Sequence, residues 1–206
     1  NPDAVTALVR QFGPDLVVNA AAYTDVEGAE DHAADAERVN VRAAGSAAGA
    51  AAAVGAPIVY YSTDFVFDGL KNVPYEPGDA ICPLSVYGRT KAAGETATAA
   101  ANPRHFIMRT AWLYGPGGNN FVEKILRAAQ TRPVLKVVED EVGSPTHTWD
   151  LAAATLALVG TDAYGLYHAV NAGSCSRFEF ARRIIALAGA AAEVQPCSAS
   201  EFPAKA

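Results

Sequence analysis

A chain of 206 residues, half of them hydrophobic, is long enough for one domain, or one domain and a small annex, around a sizeable core. A formal net charge of -6, a pI near 5.2 and the lack of a basic patch exclude a binder of phosphate backbones, so no nucleic acid partner is expected. Hydrophobic runs are short and broken by Gly, Pro or charge, and Cys82, Cys175 and Cys197 are widely spaced with no Cys-x-x-Cys pair; a cytoplasmic protein with free thiols and no membrane association is expected.

In chain order, Asn1-Pro2-Asp3 reads as a helix start with Pro2 in its first turn, and Val5, Leu8, Val9 and Phe12 form an apolar stripe that Gly13-Pro14 ends. Residues 15–21 read as a buried parallel strand, which runs into the small-residue turn Ala22-Tyr23-Thr24-Asp25. From about residue 31 to 54 the composition is that of one long helix, with the alanines of 47–53 as helix filler and Asn40 in its interior. That asparagine either faces solvent or turns its amide inward, where it needs partners. Residues 58–63 form the next strand. Its polar end, Ser62-Thr63-Asp64, falls at the carboxyl end, where open α/β sheets bind ligands.

Residues 65–83 are an irregular loop rich in Gly and Pro, and a helix then runs from about Tyr87 to residue 101. A strand at 104–110 leads to the turn at 115–120, which lacks the Gly-Lys-Ser/Thr ending of a phosphate-binding loop. There follow a helix near 121–130, a strand at 135–138, an acidic loop at 139–146, a helix capped by Thr148 and ending at Gly160, and a strand at 167–170. Ser176 caps a helix over 178–188 with Phe178, Ile184, Ile185 and Ala188 as its core stripe, and 193–206 are a strand and a loop. The acids at 139–141 read as a solvated turn, so no metal is assigned. The alternation predicts an α/β fold, a Rossmann-like doubly wound parallel sheet with helices on both faces.

Within this frame, Tyr87 and Lys91 stand four residues apart at a helix start, which puts phenol and ammonium on one face. The spacing alone is common by chance and by itself favours a Tyr and a Lys that simply flank a solvated face. Thr63 at the end of the preceding strand makes it a set able to hydrogen-bond a carbonyl oxygen and protonate it as hydride reaches the carbon. A cation near Tyr87 would favour its ionisation. His32, His105, His147 and His168 have no comparable context and read as structural or surface residues.

The set resembles that of short-chain dehydrogenases and reductases. The segments 18–30, Ser62-Thr63-Asp64-Phe65-Val66-Phe67-Asp68-Gly69, Tyr87-Gly88-Arg89-Thr90-Lys91 with Gly94-Glu95, 109–115 with Asn119-Asn120-Phe121, and Gly143-Ser144-Pro145-Thr146 resemble, in order, the dTDP-4-dehydrorhamnose reductase family. The resemblance implies NADPH- or NADH-dependent reduction of the 4-keto group of a dTDP-deoxysugar. It implies Tyr87 as proton donor, Lys91 on the nicotinamide ribose and lowering the tyrosine pKa, and Thr63 orienting the carbonyl. Ala21, Ala22 and Tyr23 would line the cofactor, while Asp64, Trp112 and Asn119 would face the sugar nucleotide. Residues 1–113 and about 135–170 would form part of a dinucleotide-binding domain, with about 114–134 and 171–206 as a small substrate-binding subdomain. A homodimer and a magnesium ion are associated with the family, although no ligand set for the metal is read here.

Three features depart from the family pattern. Phe65 stands where tyrosine is common and Glu141 where glutamine is common. The Gly-x-x-Gly-x-x-Gly turn that holds a dinucleotide pyrophosphate does not occur in the 206 residues. A sheet lacking its first strand would expose apolar edges, so the residues are expected to be part of a longer protein. Two other readings stand beside the reductase. One is another nucleotide-sugar reductase or epimerase of the same superfamily; a dehydratase is disfavoured because Phe65, not a second acid, follows Asp64. The other is a non-catalytic subunit resembling the regulatory subunit of methionine adenosyltransferase.

Overall fold

The computed structural model describes residues 2–202 and 205, with only the backbone of Pro2; the expected role of Asn1 in starting the first helix, and of residues 203, 204 and 206 in the closing loop, lie outside them. The chain forms α1 (Pro2–Phe12), β1 (Val17–Asn19), α2 (Val26–Asp31), α3 (Ala33–Glu37), a π-helical segment Arg38–Ala43, α4 (Ala44–Ala53), β2 (Ile58–Thr63), α5 (Val86–Ala101) and β3 (His105–Thr110). It continues through β4 (Leu113–Tyr114), α6 (Phe121–Ala129), β5 (Val134–Val138), β6 (Val142–Gly143), β7 (Thr146–His147), α7 (Thr148–Val159), β8 (Gly165–His168), β9 (Cys175–Ser176), α8 (Arg177–Ala188) and β10 (Glu193–Cys197). None of the described helices is long and apolar enough to cross a membrane.

Two compact units divide the chain. The first comprises the described residues up to Thr110, Thr155–Ala169 and Lys205; the second comprises Ala111–Ala154 and the described residues from Val170 to Phe202. The chain thus passes from one unit to the other after β3, within α7 and again after β8. β5 and the residues up to 154 lie in the second unit, where β5 pairs in parallel with β10 and not with the larger sheet. A strand's neighbour is a non-local choice that its own residues do not announce.

The first unit is built on a four-stranded parallel sheet in the order β1-β2-β3-β8. Its register pairs Val17 with Ile58, Ile58 with His105 and Thr63 with Thr110. Side chains alternate across a strand, so neighbours on β2 report both faces. Tyr60 packs with Ile107, Ala44 of α4 and Ala99 of α5, whereas the Tyr61 hydroxyl meets Thr155 Oγ1 of α7 at 3.0 Å. Helices therefore flank both faces.

Ala48 and Ala51 of α4 are fully buried against Ile58 and Ala56, so the alanine run is a packing surface and not filler. Methyl side chains let α4 approach both the sheet and α5. The expected stripe of α1 is half realised: Val5 and Val9 are half-buried, but Leu8 and Phe12 are exposed. The strand expected at 15–21 shortens to three residues, Val17–Asn19. The single helix expected from residue 31 breaks at His32, before α3, and converts to π geometry at Arg38–Ala43. α2, missed in the sequence, starts where the Asp25 carboxylate accepts from Gly28 N–H.

In the second unit, Ile125, Leu135, Val137, Ala181, Ile184, Ile185 and Ala192 form the core, joined by Phe180 and Phe121. Phe180 and Ala181 replace the expected Phe178 and Ala188 on the buried face of α8, and Ala188 is exposed. Ser176 caps α8 through a reciprocal box with Glu179.

Candidate active site

The carboxyl end of β2 delivers Thr63 into a short turn of 3-10 helix, where its Oγ1 accepts from Phe65 N–H at 3.2 Å and donates to Asp64 Oδ1 at 3.0 Å. Tyr87 lies in the first turn of α5, close enough to Thr63 for that side chain to act on its phenol. Two caps fix that turn: Ser85 Oγ accepts from Gly88 N–H at 3.1 Å, and Glu30 Oε1 from α2 accepts from Val86 N–H at 2.6 Å. Phe65 packs edge-on against the Tyr87 ring, with centroids 5.6 Å apart. Thr63, Asp64 and Tyr87 are thus brought together by elements far apart in sequence.

Lys91 follows one turn later and is buried, with 2% exposure. Its ammonium donates to the Tyr61 carbonyl at 2.5 Å and lies 4.1 Å from the centroid of the Tyr60 ring. Burial pulls its pKa down to about 8, against an opposing pull from the Glu95 charge. The Tyr87 phenol moves the other way, pushed up to about 12 by burial and secondarily by the Asp64 charge, while the Thr63 side chain lowers it. Lys91 is not among the causes of the Tyr87 shift: its ammonium is engaged on Tyr61 and Tyr60, and desolvation dominates at the phenol. A tyrosine so shifted is fully protonated at neutral pH, as a proton donor must be.

Asn40 turns inward, which decides between the two readings the sequence left open. Fully buried, it accepts from Tyr23 N–H at 2.8 Å, donates to the Tyr23 carbonyl at 3.3 Å and donates to Thr90 Oγ1 at 3.0 Å. Its amide thus acts as a strand partner for the turn after β1 and ties Ala21-Ala22-Tyr23 to α5 beside Lys91. Asn19 Oδ1 holds the same turn by accepting from Ala21 N–H at 3.2 Å. The α5 backbone approaches the π segment so closely that a Cβ on Gly94 would press on the Asn40 carbonyl and come within 2.9 Å of Tyr60 Cζ.

Below the site, Arg109 of β3 grips Glu95 of α5 with two hydrogen bonds, Nε to Oε1 at 2.9 Å and Nη2 to Oε2 at 2.7 Å. Ser62 adds a third bond to Glu95 Oε1 at 2.5 Å, and Arg109 Nη1 reaches the Pro77 carbonyl at 3.4 Å. Sequence reasoning quoted Glu95 and Arg109 only as part of a pattern. Their charge at the centre of apolar segments was the available signal, since buried charges need partners.

Trp112 and Asn119 belong to the second unit. Trp112 has φ of +45°, the only positive φ of a described non-glycine residue, a conformation that costs roughly 1–2 kcal/mol. Asn119 is exposed in the turn before α6. Its neighbour Asn120 is the helix cap, accepting from Glu123 N–H and donating to the carbonyls of Gly115 and Gly117. Among the described residues no group of three or more His, Cys, Asp or Glu could hold a metal ion.

The RmlD substrate binding domain family model matches residues 1–206. The dTDP-4-dehydrorhamnose reductase of Sinorhizobium fredii is 40% identical over 210 residues, covering 97% of this chain and 71% of the relative. That of Mycolicibacterium smegmatis is 45% identical over 201 residues, covering 95% of this chain and 62% of the relative. The crystal structure of the Bacillus anthracis reductase in complex with NADP has a TM-score of 0.98 at 40% identity, covering all of this chain and 73% of that one. The chain accordingly spans 62% of one of these curated relatives and 71% of the other.

Proposed function

Since the chain belongs to the RmlD substrate-binding-domain family, we propose that it carries the proton-donating part of an enzyme that reduces the 4-keto group of dTDP-4-dehydro-6-deoxy-L-mannose to dTDP-L-rhamnose with NADPH or NADH. The observation that carries this reading is the placing of Tyr87 beside Thr63 at the carboxyl end of β2, with the phenol held protonated. The substrate carbonyl oxygen would accept hydrogen bonds from both hydroxyls. The Tyr87 proton passes to that oxygen as the carbonyl π bond opens and carbon gains hydride, so ketone, hydride and proton become one secondary alcohol. A reduced nicotinamide, when bound, supplies the hydride.

The residues of the first unit fit such a group. An ammonium has three N–H donors, so beyond the Tyr61 carbonyl Lys91 retains donors for ribose hydroxyls. Ala21 and Ala22 carry only methyl groups in a turn held by Asn19 and Asn40, which leaves their backbone open to close approach. We assign Ala21, Ala22, Tyr23, Tyr87 and Lys91 to the cofactor. The family resemblance supports giving Thr63, Asp64, Trp112 and Asn119 to the sugar nucleotide. On the same reading the first unit is part of a dinucleotide-binding domain and the second a substrate-binding subdomain, and the enzyme is a cytoplasmic homodimer.

Tyr87→Phe in the full-length protein tests the assignment. Turnover of the dTDP-4-keto sugar should fall by about 10²–10⁴-fold with little change in KM. Unchanged turnover would remove Tyr87 as the donor.

A further inference from the structure

Two segments of the second unit converge on the Trp112 indole. The Arg177 guanidinium carbon lies 3.5 Å from the ring centroid, a face-on stack. Gly143 lies against the nitrogen-bearing side, where a Cβ would come within 2.8 Å of Nε1 and Cζ2. The strand pairing of β6 with β9, Val142 opposite Ser176 and Gly143 opposite Cys175, brings these two contacts to one place.

Arg177 is itself fixed from several sides. It opens α8, directly after the capped Ser176, and its N–H donates to the Glu141 carbonyl at 3.2 Å. Its Nε lies 3.5 Å from Glu141 Oε2, and its guanidinium 5.3 Å from the centroid of Phe121. The acid at 141, which departs from the family pattern, thus anchors the arginine. Trp112 stands directly before β4 on a left-handed backbone, and the guanidinium stack is the contact that covers its ring face.

We infer that Arg177 is a positioning residue that fixes the Trp112 indole for recognition of the sugar nucleotide, through a cation stack that Glu141 orients and Gly143 makes room for. The inference rests on the reading of Trp112 as a substrate contact. A planar guanidinium stacks over an aromatic face, whereas an ammonium meets it as a point charge. Charge alone therefore only partly replaces Arg177.

The test uses Arg177→Met and Arg177→Lys in a Trp149→Phe background, since Trp149 is 72% exposed and is the other tryptophan of the chain. Acrylamide quenching, taken as the difference from the same protein carrying Trp112→Phe in addition, then reports Trp112, and steady-state kinetics of the full-length protein report KM and kcat for the dTDP-4-keto sugar. Arg177→Met should raise quenching about threefold and KM about 5- to 30-fold with kcat within about twofold, and Arg177→Lys should fall between it and wild type. Unchanged quenching in both variants overturns the stack. Raised quenching with an unchanged KM, or a fall confined to kcat, overturns the positioning role. Absence of wild-type turnover overturns the functional reading and the substrate role with it, while quenching still decides whether the stack exists in solution. Should the methionine variant not fold, the lysine variant carries both measurements.

Discussion

Replacing Arg109 by Met isolates the interaction that joins α5 to the sheet. The Arg109 and Glu95 side chains are 6% and 7% exposed, so their pairing is not screened as a surface bridge would be. Arg109→Met leaves the Glu95 carboxylate buried with Ser62 as its remaining described partner, and Glu95→Leu leaves the guanidinium buried with the Pro77 carbonyl and the Phe67 ring. Each single change should cost about 3–5 kcal/mol, the usual loss when one member of a buried pair is removed. The double variant removes both charges of the pair, although Lys91 then loses the nearby Glu95 charge. Its cost should be about 1–3 kcal/mol, chiefly for the stranded Ser62 hydroxyl, well below the sum of the singles. Urea unfolding followed by circular dichroism, with the denaturant slope checked for constancy, measures all three. Singles within about 1 kcal/mol of wild type, or a strictly additive double, would refute the argument that the pair is held by mutual compensation.

Three further outcomes follow from the same geometry. The Lys91 pKa of about 8 lies below its ordinary 10.5, so between these values the unfolded chain binds more protons and stability should rise with pH. The gain relative to Lys91→Met is up to about 3 kcal/mol by pH 10.5, and a flat difference across that window would contradict the burial argument. Tyr87, pushed up to about 12, should give no phenolate signal at 295 nm at pH 10 in the spectrum of wild type minus Tyr87→Phe; a signal there would mean that the free chain already activates the phenol. Asn40→Ala should cost about 2–4 kcal/mol and abolish hydrogen-exchange protection of the Tyr23 amide, because that amide's bond is to the Asn40 side chain; retained protection would show another acceptor.

The parts of the fold legible in the sequence are those whose cause is local. β2 was read with its observed bounds, Ile58–Thr63, because an apolar run ending in hydroxyls reads the same in isolation as in a sheet. α5 was read almost to the residue, and its ends are local features: Ser85 caps its first turn and Asn102-Pro103 follows its last. What the local chain does not show depends on partners distant in sequence. β5 pairs with β10 in the second unit, and β4, β6, β7 and β9 are two-residue strands with no pattern of their own.

The site divides in the same way. Residue types and spacing determined that a strand-end hydroxyl, a phenol and an ammonium occur in the order a carbonyl reductase needs, since helical periodicity and strand polarity are properties of the local chain. The sequence could not determine what each group feels there. Desolvation raises Tyr87 and lowers Lys91, and Lys91 is turned onto the Tyr61 carbonyl instead of toward the phenol. Nor could it show that Asn40 clamps Tyr23 or that Arg177 stacks on Trp112. Burial and charge environment are sums over neighbours brought in from the whole chain, and only the tertiary structure decides which neighbours those are.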